Sequence, residues 1–211
     1  MSDSGGAGIA AVRLHEALLG IGVESKLLTL QKNSEGIPEH YLFRKVDAAR
    51  FRSVSIVMSY VDRILKRFKL KSDYYRKYWS NSMDSRPKGH RLFNFTISEY
   101  RLERHPLVRE ADIIHLHWVS GGFLDFERFF TKVSKKVVCT LHDMNPFTGG
   151  CHYANDCIGY LTDCDACPQL EGTADRSIAK KMLSVKHMIR LTADRIIGGI
   201  CKKIAGVFLK P

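Results

Sequence analysis

The chain has 211 residues, 45% of them hydrophobic, enough for one domain with a sizeable core and an ordinary content for a globular protein. Lys plus Arg outnumber Asp plus Glu by 33 to 22, and the formal charge of +11 favours an anionic partner such as anionic lipid, nucleic acid or a phosphorylated substrate. No run approaches the roughly 18 apolar residues of a spanning helix, and the N-terminus lacks the basic start and apolar core of a signal peptide. The expected location is therefore cytoplasmic, where six cysteines are read as thiols or metal ligands before structural disulfides.

Met1 to Gly8 reads as a glycine-rich loop entering a helix. Ala7, Ala10, Ala11, Leu14, Ala17, Leu18 and Ile21 recur on one face at helical spacing, and Gly20 and Gly22 end it. Such a loop offers unpaired backbone N–H groups and the positive end of a helix dipole, with Gly5, Gly6 and Gly8 leaving room for a phosphate or sugar. The plainer reading is an ordinary helix cap. Glu24 to Leu30 is expected as a strand and Gln31 to His40 as a polar loop.

Val54, Val57, Met58, Val61, Ile64, Leu65 and Phe68 form an apolar helical face, followed by Tyr74, Tyr75, Tyr78 and Trp79. Residues 41–80 hold 11 basic and 3 acidic side chains, a local +8, so most of the charge excess lies in one segment. A basic amphipathic helix with adjoining aromatics suits the surface of an anionic membrane. A helix packed on the domain with its basic face in water fits the same pattern. No nucleic-acid-binding motif accompanies the charge, and nucleic acid is not expected as a partner.

Arg91 to Phe95 is a short strand candidate, and Ser98 a cap for a helix over Glu99 to Arg104 that Pro106 interrupts. Asp112 to Trp118 reads as a strand with His115 and His117 on one face and Trp118 at its carboxyl end. Phe123 to Val133 is expected as a helix. Lys136 to Leu141 is β-branched and apolar without alternation, which suits a parallel strand covered on both faces. A helix follows from about Asp175 to Arg195, then a final strand over Ala205 to Leu209. Alternating strands and helices make this an α/β chain with a doubly wound, mostly parallel sheet.

The strand at 136–141 runs into His142 and Asp143. Ligands of open α/β sheets bind beyond the carboxyl ends of the strands, so these two are the first candidate site residues, ahead of His115, His117 and Trp118. Cys151, Cys157, Cys164 and Cys167 then follow as C-x5-C-x6-C-x2-C. Four thiolates make a closed tetrahedral zinc site, structural because no position is left open for catalysis. His152 is a substitute ligand in that reading. Free thiols, and a redox or disulfide pair, are the alternatives. Cys139 and Cys201 read as plain core or helix residues.

The run TLHDMNPFTGGCHY, the spaced cysteines and CPQL resemble the acceptor-side domain of family 4 glycosyltransferases of the GT-B fold, in their bacterial polysaccharide-assembly branch. Ser2-Asp-Ser-Gly-Gly-Ala-Gly8 resembles that family's glycine loop, and Ala111-Asp-Ile-Ile-His-Leu-His-Trp118 its next signature strand. The resemblance covers roughly residues 2–30 and 92–171. It implies a Rossmann-like N-terminal half of a GT-B fold. Residues 1–211 would be one such domain, with a cysteine-rich insert at about 143–171. It also implies transfer of a sugar from a nucleotide-sugar to a glycan or lipid-linked acceptor in cell-surface polysaccharide synthesis. By the same resemblance His142 reaches towards the donor sugar.

The family's first strand precedes its glycine loop, and its second domain carries two glutamates eight residues apart; neither has a counterpart in this sequence. The expectation is an incomplete enzyme, inactive alone, served by a separate donor-binding chain and lying on the inner face of the cell membrane. The alternative is a non-catalytic, zinc-stapled module that docks to an anionic membrane or a partner chain.

Overall fold

The computed structural model describes residues 3–43, 92–95, 97–98, 100–171 and 177–192. Several sequence expectations lie outside these residues: Ser2, the basic helix and its aromatics, Arg91, Glu99, Cys201 and the strand over Ala205 to Leu209. Among the described residues the architecture is mixed α/β, with four α-helices and two pairs of short parallel strands.

Helix α1 spans Gly5–Gly20. Gly5, Gly6 and Gly8, expected as a loop before the helix, form its first turns instead. The cause lies just upstream. The buried Asp3 carboxylate accepts hydrogen bonds from the Asn33 and Ser34 amides at 2.7–3.0 Å, which pins the chain and sends it straight into the helix. The C-terminus follows expectation. Gly22 has φ +81°, its N–H bonds to Leu19 O and that of Val23 to Leu18 O, a paired closure that satisfies the last carbonyls.

The fully buried residues of α1 are Gly8, Ala11 and His15; of the alanine–leucine face read from the sequence Ala11 is buried, Ala7, Ala10, Leu14 and Leu18 are half-buried, and Ile21 is 76% exposed. Alanines bias the rotation weakly. His15 decides it by bonding Ser25 Oγ and Pro38 O through its two ring nitrogens, each at 2.8 Å. A buried polar ring is costly unless both nitrogens are satisfied.

Strand β1, Leu27–Thr29, pairs in parallel with β2, His40–Leu42, a strand that the polar reading of 31–40 missed. Pro106 starts a helix rather than interrupting one. Helix α2 is Pro106–Glu110, with Pro at a position where its missing N–H costs nothing and His105 Nδ1 accepting from Leu107 N. Leu102–Arg104 forms a 3-10 turn.

The centre is a β-α-β unit: β3 (Ile113–His117), α3 (Phe126–Lys132) and β4 (Lys136–Thr140), the strands parallel with His117 opposite Thr140. Asp125 caps α3 by accepting from Arg128 N at 2.9 Å, a bond worth ~1 kcal/mol. Arg128 in turn spans Asp125, Glu103 and the carbonyls of Ser98 and Tyr100. Leu116, Phe123, Leu124, Phe126, Phe129 and Val137 form the core of this unit. Burying side chains of this size stabilises by roughly 1.5–3 kcal/mol each. In β4 only Val137 is fully buried, and Val138 to Thr140 are half-buried, so the expected two-sided burial is not seen.

A second core joins Phe93, Leu170, Ile178, Ala179 and Leu183 to Cys151, Cys164 and Cys167. Phe93 bridges Cys151 in antiparallel sense, which accounts for the strand signal at 91–95. Helix α4, Ile178–Thr192, packs against α3 and lies within the range expected for it. The loop between β4 and α4 is pressed onto that helix at Gly149. A Cβ there would lie 2.6 Å from Ala179 O and 2.8 Å from its Cβ. Gly150, at φ +144°, meets the Phe93 ring as closely.

Gly149→Ala is expected to destabilise the fold by about 1–3 kcal/mol, because helix backbone must move to admit the methyl group. Gly20→Ala, in the last turn of α1 with open space around it, is expected to be neutral or stabilising by up to about 1 kcal/mol. Urea unfolding midpoints of the two variants check both signs; equal midpoints would contradict the packing described at Gly149.

Candidate functional site

The parallel register sets the tips of β3 and β4 side by side, so residues 115–118 face residues 140–143. His115 Nε2 is 2.8 Å from Thr140 Oγ1, and His117 Nδ1 is 3.1 Å from His142 Nε2. The three imidazoles form a row, with ring centroids 4.4 Å apart from His115 to His117 and 5.3 Å from His117 to His142. The shared strand face expected for His115 and His117 is present, with His115 exposed, His117 buried and His142 half-buried between. Burial first, then the charges of His115 and His142, push the His117 pKa down to about 4. His115 is lowered for the same reasons, burial ahead of His142. At neutral pH His117 is a neutral imidazole, sharing one hydrogen bond with His142.

Trp118 leaves the strand at φ +39°, a left-handed conformation that costs roughly 1–2 kcal/mol for a residue with a side chain. The turn aims its indole N–H at Asp143 Oδ2, 2.7 Å away. The same oxygen lies 2.6 Å from His152 Nδ1, and Asp143 Oδ1 accepts from Asn145 N at 2.8 Å. Burial acts to raise the Asp143 pKa; the bonds from His152 and the Asn145 amide, with Trp118, outweigh it and hold the carboxyl below its ordinary value. Asp143 is thus a fixed anion that orients its neighbours.

His152 is fully buried, with Nε2 2.8 Å from Asn94 Oδ1. Its role is to brace Asp143, which removes it as the substitute metal ligand considered from the sequence. Sequence reasoning also missed Asn145, Thr148 and Lys186. Asn145 donates to Gly150 O at 2.7 Å, and Thr148 Oγ1 to Cys151 O at 2.6 Å. Lys186 Nζ donates to the carbonyls of Asn145 and Thr148 from within α4. Burial pushes its pKa down to about 7, against the raising effect of Cys151, Cys164 and Asp143. The sequence did hold a signal for it: Lys186 continues the apolar stripe Ile178, Met182, where a surface lysine does not belong.

Of the expected binding residues, His115, His117, Trp118, His142 and Asp143 are brought together. Gly5 and Gly6 stand in the first turn of α1, with open space where side chains would be, and Gly8 is buried. Cys151, Cys157, Cys164 and Cys167 all line one cavity of about 20 Å³ with Phe93, Ala154 and Tyr160. As their side chains stand, no three His, Cys, Asp or Glu among the described residues form a metal-ligating group. No described helix is long and apolar enough to cross a membrane.

No family model matches the chain, no curated protein is significantly similar to it, and no solved structure matches its fold.

The lowered His117 pKa sets a pH dependence. Between about pH 4 and the ordinary histidine value the unfolded chain binds a proton that the folded chain does not, so this contribution to stability is complete above that window and lost as pH falls through it. The urea midpoint is expected to fall between pH 6.5 and 4, with a shallower slope in His117→Gln. Identical slopes for the two proteins would show that His117 is not the group responsible.

Proposed function

We propose that this chain forms the acceptor-side half of a family 4-type glycosyltransferase, a Rossmann-like, doubly wound N-terminal domain of a GT-B fold. It would take part in moving a sugar from a nucleotide-sugar to a hydroxyl of a glycan or lipid-linked acceptor during cell-surface polysaccharide synthesis. One observation carries the reading: the His117–His142 pair, backed by Asp143, stands at the adjoining carboxyl tips of two parallel strands. That is where an open α/β sheet binds its ligands.

The chemistry that this pair suits is hydrogen bonding and proton movement at a hydroxyl. His142 engages His117 through Nε2, leaving Nδ1 for substrate. In the tautomer where His142 Nε2–H donates to His117 Nδ1, the His142 Nδ1 lone pair is available to accept the acceptor's hydroxyl proton. The acceptor oxygen then bonds to the sugar's anomeric carbon as the bond to the nucleotide phosphate breaks. His115 and Trp118 flank the approach, and Gly5, Gly6 and Gly8 supply the first turn of a helix whose dipole favours an anion. In this reading the nucleotide is held by a donor-binding domain across a cleft, and the basic segment at 41–80 meets an anionic membrane surface at the cytoplasmic face.

The test is turnover with a panel of nucleotide-sugars and lipid-linked acceptors, using the chain alone and with a donor-binding domain supplied in trans. Turnover is expected in the mixture, and His142→Ala is expected to lower it by about 10²-fold or more. Turnover indifferent to His142 would overturn the assignment. Silence in every combination, with vesicle binding retained, would favour the non-catalytic docking module.

A further inference from the structure

We propose that Cys151, Cys157, Cys164 and Cys167 bind one zinc ion as a closed four-thiolate site. Two observations converge on it. The chain segments between these cysteines fold so that all four line the same small cavity, although 17 residues of irregular chain carry them. Zinc–sulfur bonds are about 2.3 Å long, so binding would draw together sulfurs that do not yet form a ligating group.

The backbone around the sulfurs is built for thiolates. Gly149 N–H points at Cys164 Sγ at 3.3 Å. Cys164 and Ala166 hold left-handed φ of 55° and 50°, which curls the C-x2-C turn around the cavity. A plain apolar core has no use for an N–H donor aimed at sulfur.

Binding would displace the thiol protons. The ion would fasten Cys151, and so the adjoining His152 that braces Asp143, making it a positioning element for the strand-tip site.

The experiment is metal analysis of the full chain purified without chelator, followed by Co(II) substitution. About one zinc per chain is expected, with thiolate-to-cobalt charge-transfer absorption and tetrahedral visible bands on substitution. Cys164→Ser and Cys167→Ser should lose the metal and Cys139→Ser retain it. Should the cysteine variants fail to fold, the Co(II) spectrum of the unaltered chain decides alone. Metal-free protein without that spectrum would overturn the proposal, as would iron with labile sulfide in place of zinc. Turnover is not among the readouts, so the zinc site stands or falls apart from the glycosyl-transfer reading.

Discussion

The Asp143 carboxylate is the node on which the rest depends. It is one residue beyond the half-buried His142, and its two oxygens take hydrogen bonds from three different parts of the chain: the indole of Trp118, the ring of His152 and the amide of Asn145. Each bond to an ionised acceptor is roughly twice as strong as a neutral one. Removing the carboxylate would leave a buried ring and a left-handed tryptophan without the partner that holds them.

Behind the node lies a division of labour between two cores. The aromatic core under β3 and β4 fixes where the strand tips lie. The smaller core around Phe93, Leu170 and the cysteines fixes the loop that returns His152 to Asp143. Lys186 belongs to the second core but reaches out of it, holding the Asn145 and Thr148 carbonyls with a donor that an apolar helix face would not supply. Two glycines make the join possible, since any side chain at 149 or 150 would collide with Ala179 or Phe93.

Much of this was legible in the sequence, and what was not has identifiable causes. The βαβ unit and the shared strand face of His115 and His117 followed from period-two strands, and the placing of His142 and Asp143 at a strand tip from the rule that sheets bind ligands at their carboxyl ends. The glycine stretch was misread because the pin that shapes it, Asp3 to the 33–34 amides, is thirty residues long-range and leaves no local pattern. His152 was weighed only as a ligand because its true partner, Asp143, sits across a loop whose closure depends on Phe93 and α4. Pro106 was taken as a stop where its ring geometry makes it a start.

The loop from 143 to 152 departs from the usual character of a functional loop. Its amides are tied at both ends and in the middle: Met144 N–H to His152 O, Gly149 N–H to Cys164 sulfur, His152 N–H to Leu92 O. Segments that bind ligands are usually drawn from the least stable, fastest-opening parts of a protein. Here the bonded amide protons next to the site are expected to exchange slowly with solvent. Slow hydrogen exchange at these positions would report on the bonds that tie the loop, and a ligand arriving at the strand tips meets a surface that is already set, with little ordering entropy left to lose.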